Sequence, residues 1–409
     1  MSEEILCLSY DVFSLPTAQH RAGLAGLLVL LDTMQGRKIN PLPQVENTEF
    51  GVYQFHWTKE SLRAVLNEFY DATMEERPSK TKRSGQTALK EEVRKNEKTG
   101  KDEKLYYYEQ LAPKASFFRA LDMHDIWMKL WCNALWQVLR AQPATRKPFD
   151  NRQQHQDALE IDKEWQDLAK FQNTIESNGQ FLTASLSGCY FIGSQAHNAE
   201  KVAFRGRVDE NFLLHFWPIV MGVYQPNILM NDGKMEFQGY VLVIPDVLDV
   251  EGFKEDYKQA IGQLSSEVAG YRPKDSIISI HHEGGLAYAW HLMKIASAQA
   301  QKLQAYEFKV SGVETYHLKR EGNNVYMLAS DRLKLSKSIL EQYERIVQKY
   351  THPIFKRQLI VNLLENDRPW YRGFDNIFSK MSIEHFIGNT TKGFTYNVSQ
   401  KLDTERSTQ

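Results

Sequence analysis

Leu15-Pro16-Thr17-Ala18-Gln19-His20-Arg21-Ala22-Gly23-Leu24-Ala25-Gly26 runs directly into Leu27-Leu28-Val29-Leu30-Leu31. Thr17 stands at the position of a helix N-cap, its hydroxyl available to an orphan backbone N–H. Ala22, Gly23, Ala25 and Gly26 are small enough for close packing of this helix against a neighbour. Leu24, Leu27, Leu28 and Leu31 supply its buried face. Arg21 is placed to meet a phosphate near the helix start, but the small and apolar residues around it make packing the stronger reading. Short strands are expected at Ile5 to Leu8 and Gly51 to Phe55, the second followed by a helix capped by Thr58. The first part of the chain therefore reads as mixed α/β.

Further along, apolar residues Phe118, Leu121, Ile126, Leu130, Ala134, Leu135 and Val138 recur at three-to-four spacing and predict one buried helix from Ala115 to Arg140. A second helix is predicted over Gln156 to Ser177, stopped by Asn178-Gly179. Between Phe181 and Ile244 the pattern turns to β, with neighbouring antiparallel strands expected at Phe181 to Ile192, Val202 to Val208, Phe212 to Tyr224 and Met235 to Ile244. After Pro245, helices are expected at Phe253 to Val268, Leu286 to Ala305, Leu333 to Lys349 and Ile354 to Leu364. A hairpin interrupts them, with Tyr306 to Val310, Glu314 to Lys319 and Asn324 to Leu328 extended and Gly322-Asn323 in the turn. The fold class expected is α+β. A boundary near residue 250 separates an N-terminal α/β domain with antiparallel strands (1–250) from a mainly α-helical C-terminal bundle with a hairpin insertion (251–409).

The chain has 409 residues, 42% of them hydrophobic, which is enough for a substantial core. No apolar run approaches the roughly 18 residues of a membrane-spanning helix, and Met1-Ser2-Glu3-Glu4 lacks the basic-then-apolar pattern of a secretory signal. Cys7, Cys132 and Cys189 are odd in number and widely spaced, which suits reduced thiols and a cytoplasmic protein. The net charge of −1 provides no global attraction to polyanions, so nucleic-acid contact would have to come from local clusters.

Three such clusters stand out. Arg77 to Lys104 carries ten cations, among them Lys80, Lys82, Arg83, Lys90, Arg94 and Lys95, against five carboxylates. With Pro78, Gly85 and Gly100 interspersed it reads as a flexible arm that orders on a phosphate backbone, or else as a solvated insertion. Tyr106-Tyr107-Tyr108 follow and could stack on bases or alternate in a strand. Arg205 and Arg207, two apart in a strand, project from one face and could clamp phosphates or simply face water. Toward the end, Lys356, Arg357, Arg368 and Arg372 lie near Trp370 and Tyr371, a mixture suited to a single strand. Residues 331–409 hold thirteen cations against nine carboxylates. Polar groups able to enter a duplex groove are expected at Gln225, Asn227, Asn231 and Lys234, in turn-like sequence, and at Gln86 in the basic segment.

The segment from Leu15 to Gly26 resembles the N-terminal signature of a family of large subunits of type I CRISPR interference complexes. Gly284-Gly285-Leu286-Ala287-Tyr288 is similar to the start of that family's C-terminal half. The resemblance implies a place at the base of a Cascade assembly beside the five-prime handle of the guide RNA. It implies sensing of a protospacer-adjacent motif, separation of the DNA strands and retention of the displaced strand by C-terminal helices. The implied partners are guide RNA, target DNA and the backbone and handle-binding subunits, with a recruited nuclease-helicase or transposition proteins as further candidates and no membrane.

Catalytic motifs are weak. His124-Asp125 is a dipeptide of metal-dependent phosphohydrolases, yet it lies in the expected apolar helix without further ligands at compatible spacing. His281-His282-Glu283 lacks the second histidine four residues on that a helical zinc motif needs, and reads as a loop entering a helix. No phosphate-cradling glycine loop, nucleophile elbow or paired Cys-x-x-Cys is present. The expectation is a non-catalytic subunit with no cofactor and no metal. The alternatives are a metal-dependent nuclease or phosphohydrolase using His124 and Asp125, and a scaffold that binds only proteins.

Overall fold

The computed structural model describes residues 4–95, 100, 102–179, 181–188, 190–194, 204–229, 235–300, 309–350, 352–365, 369–378 and 393–406. It opens with β1 (Leu6–Asp11), α1 (Ala18–Gly36), β2 (Gln44–Glu49), β3 (Val52–Trp57) and α2 (Lys59–Phe69). The strands pair antiparallel in the order β1-β3-β2, and inward-facing Leu6, Leu8 and Tyr10 meet Trp57, Phe55 and Tyr53 across the ladder. Thr58 caps α2 as its sequence foretells, in a full capping box with Ser61. Thr17 holds the N-cap position of α1 but turns its hydroxyl to His20 Nδ1, 2.8 Å away, rather than to a backbone N–H.

Helix α1 is buried around its whole circumference, with no exposed surface on Ala22, Leu24, Ala25, Leu27, Val29 or Leu30. Its small residues explain how. A Cβ on Gly23 would stand 2.3 Å from the carbonyl oxygen of Leu213, and one on Gly26 would stand 2.2 Å from that of Phe216. Helix and opposing backbone therefore touch directly, as the spacing of small residues predicts.

β4 (Ala72–Ser79), β5 (Lys90–Lys95) and β6 (Asp102–Pro113) form a second antiparallel sheet in the order β4-β6-β5. The single helix expected from Ala115 to Arg140 is broken into α3 (Ser116–Ala120), α4 (Asp125–Ala134) and a π-helical turn, Leu135–Leu139. Asp122 takes φ +56°, and His124 Nδ1 caps Ile126 N at 3.4 Å. The apolar period runs through the break because buried Leu121 and half-buried Met123 pack into the same core. α5 (Lys147–Gln153) and α6 (Ile161–Asn178) follow, and Gly179 at φ +67° lies just past the end of α6.

The four neighbouring strands expected up to Ile244 are not what forms. Among the described residues β7 (Thr183–Ser185) pairs only with β8 (Arg205–Arg207), and Val208 to Val220 forms two helices joined by a turn, α7 (Val208–Leu213) and α8 (Trp217–Val220). Asp209 and Glu210 in the first turn of α7, and Pro218 near the start of α8, favour helix starts there. β9 (Gly222–Leu229), β10 (Met235–Phe237) and β11 (Tyr240–Val247) are extended. After α9 (Val250–Gly262) come the short strands β12 (Val268–Ala269), β13 (Arg272–Pro273) and β14 (Ile277–Ile278), then α10 (His281–Ala300).

The expected hairpin exists as β15 (Val310–Glu321) and β16 (Asn324–Lys334), with Gly322 at φ +61° in its turn. It extends a sheet ordered β10-β9-β11-β15-β16, and β14 joins β9 in parallel. Val241 to Ile244 at the centre are wholly buried, so this sheet joins strands on both sides of residue 250. The start of α10 lies on it, and a Cβ on Gly285 would meet Val313, Thr315 and Leu333 at 2.8–2.9 Å.

The chain closes with α11 (Lys337–Lys349), α12 (Pro353–Leu364), α13 (Phe374–Phe378) and α14 (Phe394–Arg406). α11 begins later than Leu333 because that residue still belongs to β16, and Ser336 Oγ accepts from Ile339 N. Tyr350, Phe355, Leu359, Phe374 and Phe394 form a small second core here. Among the described residues no helix is long and apolar enough to cross a membrane.

Asp246, buried at the end of β11, accepts from Arg21 Nε at 2.5 Å and from Ser311 Oγ at 2.6 Å, and also pairs with Arg332. Arg21 further donates to the Leu15 carbonyl at 2.6 Å. The arginine of the opening segment is thus committed to the interior.

Gly26→Ala separates packing from propensity. Helix propensity alone would stabilise the variant by up to about 1 kcal/mol, whereas the clash with the Phe216 carbonyl should destabilise it by about 1–3 kcal/mol. A lower Tm in thermal denaturation is expected, and an unchanged or higher one would disprove the backbone contact.

Candidate nucleic-acid interface

The segment read as a flexible arm is an ordered sheet in the described residues. The inner end of β4-β6-β5 is fastened by Trp136 Nε1 to the Leu111 carbonyl at 2.8 Å and by Arg77 to Asn133 at 3.0 Å. Its outer part leaves residues 79–95 exposed or half-buried on both faces. There Lys80 pairs with Glu103 (2.6 Å), Lys90 with Glu92 (3.3 Å), and both Lys82 (3.3 Å) and Lys104 (2.6 Å) with Glu91. Lys104 and Lys82 hold the Glu91 carboxyl below its ordinary pKa. The tyrosines alternate as strand residues and their faces are covered from within. Lys82 and Lys104 lie over Tyr106, Lys90 over Tyr107, and Arg83 over Tyr108 at 4.9 Å. Exposed Arg94 and Lys95 make no ion pair among the described residues.

Arg205 and Arg207 do share a strand face, but both are engaged. Arg205 donates to the Thr183 hydroxyl and carbonyl, at 3.1 and 2.6 Å. Arg207 grips buried Asp209 with two nitrogens, at 3.1 and 2.7 Å, and lies over the Phe181 ring at 4.1 Å. Burial nonetheless holds the Asp209 carboxyl above its usual range. A phosphate would have to displace that pair, so Arg207 serves the fold first.

The C-terminal cluster divides in the same way. Lys356 reaches inward from α12 to Glu283 at 2.7 Å, with the Glu283 carboxylate almost wholly buried. The other oxygen of Glu283 accepts from Ser279 N and Oγ, both at 2.6 Å. Lys356 is therefore a strut between α10 and α12 and not a surface contact. Arg357 and Arg372 are exposed and make no ion pair among the described residues, and Tyr371, next to Arg372 in sequence, is exposed too. Arg368 lies outside the described residues.

Of the groove-entering candidates, Gln86 is exposed in the loop between β4 and β5. Gln225 and Asn227 lie within β9 and not in a turn, and Asn227 pairs with Phe237 of β10. Gln225 Oε1 and Asn227 Oδ1 are buried with no hydrogen-bond partner among the described residues. Asn231 and Lys234 lie outside the described residues. Nearby is a feature the sequence reading missed. β12 and β13 make a tight hairpin whose tip, Gly270 at φ +71°, presents Tyr271 at 73% exposure. The Arg272 guanidinium is sandwiched between Tyr271 (3.9 Å) and Phe237 (3.6 Å). Ala269-Gly270-Tyr271-Arg272, a glycine turn with an aromatic beside an arginine, was the available signal.

His124 and Asp125 start α4, exposed, and join no group of three metal-ligating side chains among the described residues. One such group does exist, His281, His282 and Asp331. His281 and His282 open α10 instead of preceding it, and burial holds the His282 pKa below 6.5.

Residues 42–302 match the family model described as the Type I-B CRISPR Cas8b N-terminal domain, and residues 310–409 match its C-terminal domain counterpart. These matches define the class, a large subunit of a type I CRISPR system. The chain belongs to the type I-B Cas8b family. Comparison with curated proteins gave no match. Membership implies a place in a Cascade complex with other Cas subunits, and Cas8 large subunits are generally non-catalytic. Gly284 to Tyr288, expected to open the C-terminal half, falls inside the N-terminal match. Leu15 to Gly26 precedes both matches.

Adjacent residues of α12 should separate the two roles. Lys356→Ala strands the buried Glu283 carboxylate and should destabilise by around 3 kcal/mol, seen as a lower Tm. Arg357→Ala should leave Tm unchanged and weaken binding of single-stranded DNA by the assembled complex. Equal Tm for the two variants would refute the strut.

Proposed function

We propose that this chain is the non-catalytic large subunit that reads the protospacer-adjacent motif in duplex DNA, promotes strand separation and holds the displaced strand within a guide-RNA complex. The observation that carries the reading is the projecting outer part of β4-β6-β5. Seven cations stand against four carboxylates in residues 80–95 and 102–104, on an ordered support exposed on both faces. Such a surface suits sequence-independent backbone contact, while guide pairing supplies sequence recognition. Gln86 on the same projection and the Tyr271-Arg272 tip are the groups placed to enter a groove or a base step. Residues up to 250 take the guide-handle and adjacent-motif contacts. Residues 251–409 take the displaced strand, through Arg357, Arg372 and Tyr371.

Salt dependence tests this reading. In the assembled complex, log K for target duplex should fall linearly with log salt, and each phosphate contact removed should flatten the slope by about 0.9. Lys82→Ala, Arg94→Ala and Lys95→Ala combined should therefore flatten it by about 2–3. An unchanged slope removes the projection from the DNA contacts. Absence of any crosslink from this chain to RNA or DNA would favour a protein-only scaffold. Divalent-metal-dependent cleavage lost on His124→Ala would establish the nuclease alternative.

A further inference from the structure

We propose that His281, His282 and Asp331 form a site for a divalent transition-metal ion of the zinc type, joining the start of α10 to the outer strand of the β15-β16 hairpin. His281 Nε2 lies 2.5 Å and His282 Nε2 3.2 Å from the same oxygen, Asp331 Oδ2. One ligand atom from each of the three falls within 4.8 Å of the others. The imidazole rings are 3.9 Å apart, centroid to centroid. Consecutive residues of a helix point about 100° apart, so two adjacent imidazoles meeting one carboxylate require that carboxylate to come close in front of the helix end.

Close approach is what the following glycines permit. Gly285 lies against Thr315, Val313 and Leu333 with no room for a Cβ, and Thr315 is the cross-strand partner of Asp331. The sequence His281-His282-Glu283-Gly284-Gly285 therefore supplies two ligands together with the packing that brings the third to them. The third is far along the chain, in the segment matched by the other family domain.

The donor set selects the ion. Two imidazole nitrogens and one carboxylate oxygen suit zinc and its first-row neighbours, whereas calcium and magnesium take oxygen ligands. The Asp331 side chain is 45% exposed, which leaves a route of entry and a fourth position for water. Asp331 is exposed on β16. A site of this kind, with three protein ligands from two elements, fastens those elements together by adding binding free energy to the folded state only.

The test uses the full chain, freed of any histidine tag and treated with EDTA, and titrates ZnCl₂ by calorimetry, with Co²⁺ followed by its visible d–d bands. Wild type and the remote His124→Ala control should each take up one equivalent and show a higher Tm with zinc. The double variant His281→Ala/His282→Ala should lose that equivalent. Asp331→Asn should weaken uptake by more than the roughly tenfold that even outer-shell partners contribute. Should circular dichroism show the double variant unfolded, Asp331→Asn, at an exposed strand position, decides alone. No uptake by wild type, or the same uptake in wild type and Asp331→Asn, overturns the site and leaves a hydrogen-bonded His-Asp cluster only.

Discussion

The buried carboxylate of Asp246 holds the molecule's main parts in register. It sits at the end of β11, the central strand, and takes Arg21 from α1, Ser311 from β15 and Arg332 from β16. A lone carboxylate in that position would carry a desolvation penalty of several kcal/mol, and one guanidinium does not generally offset such a penalty. Two guanidiniums and a hydroxyl satisfy its lone pairs and make the position of the hairpin conditional on the position of α1. Much else follows from that coupling. The hairpin places Thr315 and Leu333 beneath Gly285, Gly285 admits the start of α10, and α10 presents Glu283 to Lys356 of α12. The C-terminal helices are thereby tied to the first helix through a chain of polar and steric contacts.

What the sequence disclosed about the fold followed from how local each signal was. Thr58, Gly179 and Gly322 act within one turn of chain, and their predicted roles match the caps and turns observed. Gly23 and Gly26 were readable as close-packing residues because nothing else explains four small residues in an otherwise leucine-rich helix. The break between α3 and α4 was hidden, since an apolar period records which residues enter a core and not whether the backbone between them stays helical. The helices at Val208 to Val220 were masked similarly, by an aromatic and β-branched composition that a buried strand shares. Pairing of β15 with β11 is a contact across roughly seventy residues, and no local pattern encodes it.

The candidate interface was less legible, for an electrostatic reason. A count of charges treats every cation as available, yet a cation's availability depends on partners distant in sequence. Arg21, Arg207 and Lys356 each found a buried carboxylate, at Asp246, Asp209 and Glu283, and became part of the frame. The tyrosine run at 106–108 was equally ambiguous in sequence, since its rings are covered by lysines and an arginine from β5, β6 and the loop between β4 and β5. Conversely, Asp331 carried no signal as a ligand, because its significance depends on histidines fifty residues away. Arg94, Lys95, Arg357 and Arg372 make no ion pair among the described residues, although Glu103 and Asp102 stand opposite Arg94 and Lys95 on β6.

On the proposed reading the paired lysines of the projection are not thereby lost to nucleic acid, and the distinction is energetic. A phosphate that replaces Glu91 on Lys82 and Lys104 exchanges one anion for another, so the gain is small and the displaced carboxylate repels the incoming strand. A phosphate arriving at Arg94 or Lys95 breaks no ion pair seen among the described residues, so its release of counterions weighs more heavily in the salt slope. The internal pairs serve a different end. Between bindings they neutralise the mutual repulsion of closely spaced cations and keep the outer strands paired, so the ordering of the projection is met by folding and not charged against the complex. An unpaired arm of the same composition would carry more free charge and would have to order itself on every encounter. If the proposed contact holds, the ordered sheet trades part of its electrostatic attraction for a surface whose shape exists before a nucleic acid arrives.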